Sequence, residues 1–269
     1  MVDDTASDTL QTLAMIAHEF RHPIDIISKS AELVNKAQLM DFLNGEKLRE
    51  IMDGIINSCN RMGVLTSNIM ELAHIESGTA RAITERGNIE SFFNDLKGFL
   101  ELHTDAYNVK FVFKIKLDNP NIVTDFRKLE RIVLNLISNA VKYSGKTNRV
   151  VTISVSDSEE EVTVSVKDRG KGIGAAEINR IFDKFYRVED FKMRATEGCG
   201  LGLAIVRGFV ALLGGDISVV SAEGKGSEFT VTLPRVLDAG KTPGKTPEIS
   251  GMYRLHKTSV EEIFSDITI

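Results

Sequence analysis

The stretch LAMIAHEFRHPIDII, residues 13–27, decides how the first part of the chain folds. Apolar side chains recur through it and on both sides of it at alternating steps of three and four residues. The members of this seam are Leu10, Leu13, Ala17, Phe20, Ile24, Ile27, Ala31 and Val34. A heptad seam of this length predicts a long helix that needs a partner helix to cover it. His18 lies one residue off the seam, so we expect its imidazole to project toward solvent.

His18 is followed by Glu19 and, five residues on, by Pro23. A neutral imidazole is a nucleophile, and an adjacent carboxylate can orient it and accept its proton. Pro23 has no backbone N–H, so it predicts a bend or a loosened turn just after the histidine. A surface histidine on a helix is more often an ordinary surface residue, and this stretch alone does not define a catalytic site.

Composition places the chain among ordinary globular proteins. Its 269 residues are 42% hydrophobic and 26% charged, which allows one or two domains with a packed core. The net charge of -5 argues against nucleic acid as the main partner. No run of 18 apolar residues occurs, and the acidic N-terminus is unlike a signal peptide. Cys59 and Cys199 form neither a disulfide framework nor a metal motif. These features predict a soluble, cytoplasmic protein with no membrane span in this chain.

The first 78 residues predict a helical hairpin. One helix spans residues 7–39, a turn follows at 41–47, and a second helix spans 47–76. The second seam keeps the heptad register through Leu48, Ile51, Ile55, Ser58, Met62, Leu65, Ile69 and Leu72. A lone hairpin leaves much of each seam open, so we expect a homodimer in which two hairpins form a four-helix bundle. A plain coiled-coil spacer would need the same dimer, so dimerisation alone does not indicate catalysis.

Residues 79–236 predict a second domain in which strands and helices alternate. The expected helices cover 89–104, 126–143, 177–182 and 203–213, and the expected strands cover 111–117, 150–156, 162–168, 217–221 and 228–233. The apolar faces of these helices can be buried against one face of a single sheet, which indicates a two-layer α/β sandwich. The predicted fold class of the whole chain is therefore α+β. Residues 237–269 are turn-rich without apolar periodicity, which predicts a flexible tail.

Helix 126–143 carries Asn135 and Asn139, one turn apart within an apolar run. Buried amides are costly unless they are fully hydrogen-bonded, so the pair has either backbone partners or a functional role. An amide oxygen suits Mg²⁺, which proteins commonly share with nucleotide phosphates. In that interpretation Lys142 supplies charge to a phosphate and Tyr143 offers a ring to a base.

A glycine-rich turn follows the strand that ends near Asp168. Gly170 and Gly172 permit close backbone approach, and the carboxylate can accept a hydrogen bond from an exocyclic amine. A lone D-x-G-x-G motif is often only a tight turn.

A second glycine-rich segment, Gly198-Cys199-Gly200-Leu201-Gly202-Leu203, opens the helix at 203–213. Glycine-rich backbone at a helix N-terminus can cradle phosphate. The segment lacks the GK[ST] of a Walker loop and the strand that precedes a dinucleotide fingerprint. Residues 183–199, between the two segments, are charged and flanked by glycine, which predicts a mobile lid.

Five motifs together resemble, in their order, the sensor histidine kinases of two-component systems. They are His18-Glu19-Phe20-Arg21-x-Pro23, Asn135-x-x-x-Asn139-Ala140-x-Lys142-Tyr143, Asp168-x-Gly170-x-Gly172, Phe182-x-x-Phe185-Tyr186-Arg187 and Gly198-x-Gly200-Leu201-Gly202-Leu203. Two further stretches fit as well: Ile75-Glu76-Ser77-Gly78 and Gly224-x-Gly226-Ser227-x-Phe229. The resemblance covers about residues 8–234. It implies a dimerisation and histidine phosphotransfer bundle, followed by an ATP-binding domain of the kind shared with gyrase, Hsp90 and MutL.

The resemblance also implies roles for single residues. His18 would be the phosphoacceptor and Glu19 the base that assists it. Asn139 would bind Mg²⁺, with Asn135 beside it. The expected reaction is in-line transfer of the γ-phosphoryl group of ATP to an imidazole nitrogen, and then to an aspartate of a response regulator.

In the nucleotide site that the resemblance implies, Lys142 would reach the phosphates and Tyr143 would pack on adenine. Asp168 would accept a hydrogen bond from the adenine amino group, and Arg187 would approach the phosphates. The remaining implied residues shape the pocket and the lid: Gly170, Gly172, Gly198, Gly200, Gly202 and Leu203.

The chain departs from the family pattern at His22, where relatives usually have Thr or Asn. In relatives that residue is thought to place a water for dephosphorylating the response regulator, so phosphatase activity is in doubt here. His22 is also a second possible acceptor. No sensor domain is recognisable, so the chain is either a fragment or a kinase that receives its signal from another protein.

Two other classes compete with the kinase hypothesis. One is a catalytically silent, nucleotide-binding dimeric scaffold that acts through protein contacts. The other is a serine kinase of the anti-sigma type, which shares the ATP-binding half and would not need the hairpin that carries His18. That hairpin discriminates against the serine kinase, and the complete set of ATP-site motifs argues against the scaffold.

Overall fold

The computed structural model describes residues 2–38, 45–102, 104, 108–144, 149–188 and 199–237. They divide into two compact units, a first unit within residues 1–70 and a second unit that begins at Glu71. The domain boundary that the sequence predicts after residue 78 stays a prediction, because a division into compact units does not show which segment folds independently.

The first unit consists of two long helices, α1 (Val2–Gln38) and the greater part of α2 (Gly45–Glu76). The predicted start of α1 at residue 7 is wrong, because the helix begins five residues earlier. Most of the predicted turn at 41–47 lies outside the described residues. The helical assignment continues through the buried Pro23.

The apolar seam of the first unit is only partly covered within one chain. Leu13, Ile24 and Leu48 are exposed by 55%, 48% and 40%, whereas Ser58 and Leu65 are buried. The hydroxyl of Ser58 donates to the carbonyl of Gly54 at 2.8 Å, so the one polar seam residue is satisfied within its own helix. One face of this helical unit therefore presents large apolar side chains to solvent.

The second unit contains the end of α2 and a sheet with its helices. Its further elements, in chain order, are β1 (Glu85–Asn88), α3 (Ile89–Leu102), β2 (Lys110–Lys116), β3 (Asn121–Thr124), α4 (Phe126–Tyr143), β4 (Val150–Asp157), β5 (Glu161–Lys167), α5 (Gly202–Leu212), β6 (Asp216–Ala222) and β7 (Gly226–Pro234). The main sheet has the order β2-β4-β5-β7-β6. Strands β2 and β4 are parallel, and every other neighbouring pair in this sheet is antiparallel.

The core lies between one face of this sheet and helices α3, α4 and α5, which contact β2, β4, β5 and β6. Alternate side chains of the central strands are almost fully buried, among them Val151, Ile153, Val162 and Val164. Because alternate residues of a strand point to opposite faces, this alternation shows that one face is covered by the helices. The predicted α+β class and two-layer sandwich are confirmed.

Helix α4 is positioned by its N-terminal cap. The carboxylate of Asp125 accepts hydrogen bonds from the backbone N–H groups of Arg127 and Lys128, both at 3.1 Å. Such a cap satisfies N–H groups that have no partner inside the helix. The helix then runs to Tyr143, as the sequence predicts, and its C-terminal end meets the strand end of β5.

The last turns of α2 pack within the second unit. The Oε2 atom of Glu71 accepts a hydrogen bond from Nε of Arg131 at 3.1 Å, and Glu76 pairs with Lys184. A Cβ atom at Gly208 would come within 2.8 Å of the side chain of Ile75, so α5 and the end of α2 are in close contact. The end of the long helix is thereby part of the body that carries the sheet.

Two further sequence-based assignments, both in the second unit, differ from the structure. Strands β1 and β3, which pair with each other, were not predicted, because neither has the apolar alternation that marks a strand. The predicted helix at 177–182 is wrong. The N–H groups of Ile178 and Ile181 reach back four residues, whereas those of Arg180 and Asp183 reach back three. This mixture forms a series of turns rather than a continuous helical ladder.

Candidate functional site

A cleft lies in the second unit, beside the C-terminal half of α4. Helix α4 places Asn139 and Tyr143 along one side of it, one turn apart and both half-buried. Of the predicted site residues, the structure brings these into the lining: Asn139, Tyr143, Asp168, Gly172, Arg187 and Leu203. Residues from a helix, a strand end and two loops thus meet at one cavity.

Asp168 lies at the end of β5 and is only 4% exposed. Its Oδ1 atom accepts a hydrogen bond from the backbone N–H of Gly170 at 2.7 Å. Burial raises the pKa of the Asp168 carboxyl, and hydrogen bonds from the N–H groups of Gly170 and Ser227 oppose that rise. A largely desolvated carboxyl in a cleft suits a hydrogen bond to an uncharged donor such as an amine on a ring.

Two glycines allow the loop after Asp168 to pass close to its neighbours. A Cβ atom at Gly170 would overlap the carbonyl oxygen of Tyr143, and one at Gly172 would overlap that of Ala222. Gly172 also has a φ of +67°, which side chains disfavour. Gly170 therefore allows this loop to lie against the end of α4, and Gly172 allows it to lie against the end of β6.

Positive charge surrounds Tyr143. The Nζ atom of Lys171 lies 5.2 Å from the centroid of its ring, within the range of a cation–π interaction. Burial raises the pKa of the Tyr143 hydroxyl, and the positive charge of Arg187 opposes that rise. Lys171 and Arg187 both line the cleft, so one part of its wall is suited to an anionic group.

Apolar side chains from two other segments complete the cleft. Phe229 of β7 and Ile181 of the turns at 175–182 line it together with Ser227. The hydroxyl of Ser227 lies 2.9 Å from that of Ser221, which accepts the backbone N–H of Ile173 at 2.9 Å. This chain of hydrogen bonds ties the floor of the cleft to strand β6.

Several lining residues were not predicted, namely Ala140, Lys171, Ile173, Ile181, Tyr186, Val188, Ser227 and Phe229. Ser227 and Phe229 belong to a stretch that fits the family pattern, but no local sequence pattern places that stretch beside Asp168. The pairing of β5 with β7 does so: the backbone N–H of Asp168 donates to the carbonyl of Ser227 at 2.9 Å.

Other predicted site residues lie near the cleft without lining it. The amide nitrogen of Asn135 donates to the carbonyl of Arg131 at 2.8 Å, and its Oδ1 atom faces Gly202. Lys142 is half-buried beside Tyr143, and Gly170, Gly200 and Gly202 shape the adjoining backbone. Gly198 lies outside the described residues, as does most of the predicted lid at 183–199.

His18 is exposed and Glu19 is half-buried on α1, in the first unit. His22 is also exposed, one helical turn further on. Within the described residues, no group of three or more His, Cys, Asp or Glu side chains is placed to hold a metal ion. The amide of Asn139 and the carboxylate of Asp168 both place side-chain oxygen atoms in the lining of the cleft, and oxygen is the ligand type that Mg²⁺ takes.

In the part of the chain that the structure describes, no helix is both long and apolar enough to cross a membrane.

Two family models match the chain in succession. Residues 9–78 match the His Kinase A (phospho-acceptor) domain, and residues 124–237 match the histidine kinase-, DNA gyrase B-, and HSP90-like ATPase. The first match contains His18 and the second contains every predicted residue of the cleft. The chain belongs to the sensor histidine kinases of two-component systems.

Curated proteins that are similar in sequence to this chain are also sensor histidine kinases. The sensor histidine kinase WalK of Bacillus subtilis is 31% identical over 223 residues, covering 82% of this chain and 36% of WalK. The chain spans 36% of the length of WalK, and 42% and 54% of the length of two other curated sensor-like histidine kinases that it matches, from Rhizobium meliloti and Mycobacterium bovis.

Solved structures share the fold. The histidine kinase AdeS of Acinetobacter baumannii aligns with a TM-score of 0.61 at 21% identity, over 81% of this chain and 98% of that structure. The histidine kinase ThkA, solved in complex with the response regulator protein TrrA, aligns with a TM-score of 0.64 at 22% identity. That alignment covers 87% of this chain and 64% of the ThkA chain.

Proposed function

We propose that this chain is the catalytic part of an ATP-dependent protein histidine kinase that phosphorylates itself on His18. The phosphoryl group would then pass to an aspartate of a response regulator in the cytoplasm. The observation that carries the proposal is the convergence of Asn139, Tyr143 and Asp168 on one cleft, in a chain whose other unit exposes His18 next to Glu19.

The cleft has the polarity that ATP requires. Asp168 would accept a hydrogen bond from the adenine amino group, while Tyr143, Ile181 and Phe229 supply ring and apolar surface for the base. Arg187 would lie toward the phosphates, as would Lys171, which was not predicted from the sequence. For Lys142, only the family resemblance supports a contact with the phosphates.

Asn139 is the residue that we assign to Mg²⁺. Its half-buried amide lies in the lining of the cleft, whereas the amide of Asn135 is turned to the backbone of its own helix. Asn135 would therefore support the site from beside it, through its contact with Gly202. When bound, Mg²⁺ supplies charge neutralisation for the phosphates.

The reaction at His18 uses the lone pair of a neutral imidazole. The ring nitrogen forms a bond to the γ-phosphorus of ATP while the bond from that phosphorus to the bridging oxygen breaks, and ADP leaves. Glu19 would accept the proton from the other ring nitrogen. Exposure of His18 on α1 leaves its ring accessible to a nucleotide held by a catalytic unit.

The proposed partners are a second copy of the chain and a receiver domain. Leu13, Ile24 and Leu48 leave an apolar strip exposed on the first unit, which a second hairpin would cover. The structural neighbour ThkA was solved with its response regulator, which supports a partner of the same kind here. We do not expect nucleic acid to be a partner, because the net charge of the chain is -5.

The test is incubation with γ-labelled ATP and Mg²⁺, comparing the wild type with His18→Gln and His74→Gln. His74 is a matched control, because it is also an exposed helical histidine. We expect acid-labile, alkali-stable label in the wild type and His74→Gln and none in His18→Gln. Label that survives His18→Gln would move the acceptor, with His22 next in line. Nucleotide binding without label in any protein would favour the silent scaffold.

A further inference from the structure

His18 and His22 form a pair of which the proposed kinase reaction uses only His18. Both are exposed, and they lie four residues apart on α1. Side chains at this spacing are neighbours on one helix face, with Cβ atoms about 5–6 Å apart. Together with Glu19 they spell H-E-x-x-H, the spacing with which helices present two imidazoles to one zinc ion.

We propose that His18 and His22 chelate a divalent transition metal ion such as Zn²⁺, and that the bound metal blocks His18 as a phosphoacceptor. Imidazole nitrogens bind Zn²⁺ at about 2.0–2.1 Å, and water can complete a tetrahedral shell. Mg²⁺ prefers oxygen ligands, so the metal of the ATP site does not compete for this pair.

The helix keeps the pair in register despite the proline that follows. Pro23 lacks the N–H that would bond to the carbonyl of Glu19, but the bond that spans the pair runs from the N–H of His22 to the carbonyl of His18. The helical assignment is continuous on both sides of Pro23. The spacing of the two imidazoles is therefore that of an ordinary helical turn.

A hydrolytic zinc site does not fit these residues. Metalloproteases of the H-E-x-x-H type hold zinc with a third protein ligand. Among the residues that the structure describes, no third His, Cys, Asp or Glu joins the pair. The ion would instead have two protein ligands and act as a blocking group.

The block follows from the electronic structure of imidazole. A neutral imidazole has one nitrogen with a free lone pair and one that carries hydrogen. If His18 gives that lone pair to a metal, it has none with which to attack phosphorus. This consequence rests on the proposed kinase function, whereas metal binding itself does not.

Calorimetry with zinc chloride, in the absence of nucleotide, tests the site directly. We expect the wild type to bind zinc, and His18→Gln and His22→Gln each to raise the dissociation constant at least about tenfold, because chelation by two linked ligands is lost. The control His74→Gln should bind like the wild type, since its ring nitrogen Nδ1 meets Thr79 Oγ1 at 3.1 Å and no histidine lies one turn away. Absence of zinc binding, or equal binding by His22→Gln, would overturn the proposal.

Labelling at free zinc concentrations fixed by a metal buffer tests the block. Each protein is compared with itself, with and without zinc, so that a change in its basal activity cancels. We expect the zinc concentration that halves labelling to rise at least about tenfold in His22→Gln and to stay unchanged in His74→Gln. Equal inhibition of His22→Gln would refute the block. A wild type that takes no label would refute the kinase function, and calorimetry would still decide the metal site.

Discussion

The backbone N–H of Phe185 donates to the carbonyl oxygen of Gly200 at 3.0 Å, which joins the two ends of the intervening segment. Both residues have positive φ, 59° and 69° respectively, and a positive φ is uncommon for a residue with a side chain. Tyr186, Arg187 and Leu203 next to these ends line the cleft. The hydrogen-bonded residues Phe185 and Gly200 therefore lie next to residues that line the proposed nucleotide site.

Gly200→Ala should weaken nucleotide binding about tenfold, since the new Cβ would lie 2.7 Å from the carbonyl carbon of Phe185 and would push the two ends apart. Gly224→Ala is the matched control, because Gly224 has a similar φ of +74° but no atom within 4 Å of the Cβ position. Calorimetry with a non-hydrolysable ATP analogue measures both. An equal loss of affinity in the two variants would mean that backbone strain, not the contact with Phe185, is responsible.

Asn139→Ala should abolish Mg²⁺-dependent labelling, by about a hundredfold or more, because the oxygen that we assign to the ion is removed. The first unit should stay dimeric in this variant, which light scattering would show. Asn94→Ala, at an exposed position of α3, is the control and should label normally. Undiminished labelling of Asn139→Ala would exclude this residue from the metal site.

Asp168→Asn should bind nucleotide about tenfold more weakly, since a charged acceptor makes a stronger hydrogen bond to an amine than an amide oxygen does. Asp216→Asn on the exposed side of β6 offers the same chemical change away from the cleft and should leave affinity unaltered. Calorimetry measures the dissociation constant for nucleotide of each variant and of the wild type. Unchanged ATP binding by Asp168→Asn would remove Asp168 from the site.

The same variant should be more stable than the wild type without nucleotide at pH 7. Burial raises the pKa of Asp168 above its ordinary value of 3.8, so the folded state holds the proton more tightly than the unfolded state does. Stability from this carboxyl is therefore full below pH 3.8 and is lost as the pH rises through the raised folded value.

Asparagine does not titrate and avoids that loss, so we expect a gain in the free energy of unfolding at pH 7. Urea unfolding at pH 7 and pH 4 measures it, and the gain should shrink at the lower pH. A variant less stable than the wild type at pH 7 would show that the carboxylate contributes more through its hydrogen bonds than its burial costs.

Local sequence signals predicted the elements that carry strong periodicity. Helix α4 was predicted from its apolar run and begins and ends where expected, because its cap at Asp125 and its buried face agree. The hairpins β4–β5 and β6–β7 also follow from alternation and turn residues. By contrast, strand β1 reads Glu-Arg-Gly-Asn, and its strand geometry comes from pairing with β3, which lies more than thirty residues away.

The candidate site was predictable to the extent that its residues form family motifs. Asn139, Tyr143 and Asp168 were found this way, and they do line one cleft. Lys171 and Phe229 were missed as contributors, because their places depend on how β7 pairs with β5 and on how the loop after Asp168 turns back over α4. Such juxtapositions are set by tertiary packing and leave no periodic trace in the sequence.

The attachment of the end of α2 has a practical consequence for recombinant work. A catalytic fragment truncated at residue 79 would remove Glu71 from beside Arg131 and Ile75 from its contact with Gly208. It would also remove the buried side chain of Leu72 and expose the surface that covers it, so we expect the fragment to aggregate more readily during expression. A fragment that starts upstream of Glu71 keeps those contacts. The final turns of this helix therefore belong to the folded second unit and should not be treated as a linker that can be removed.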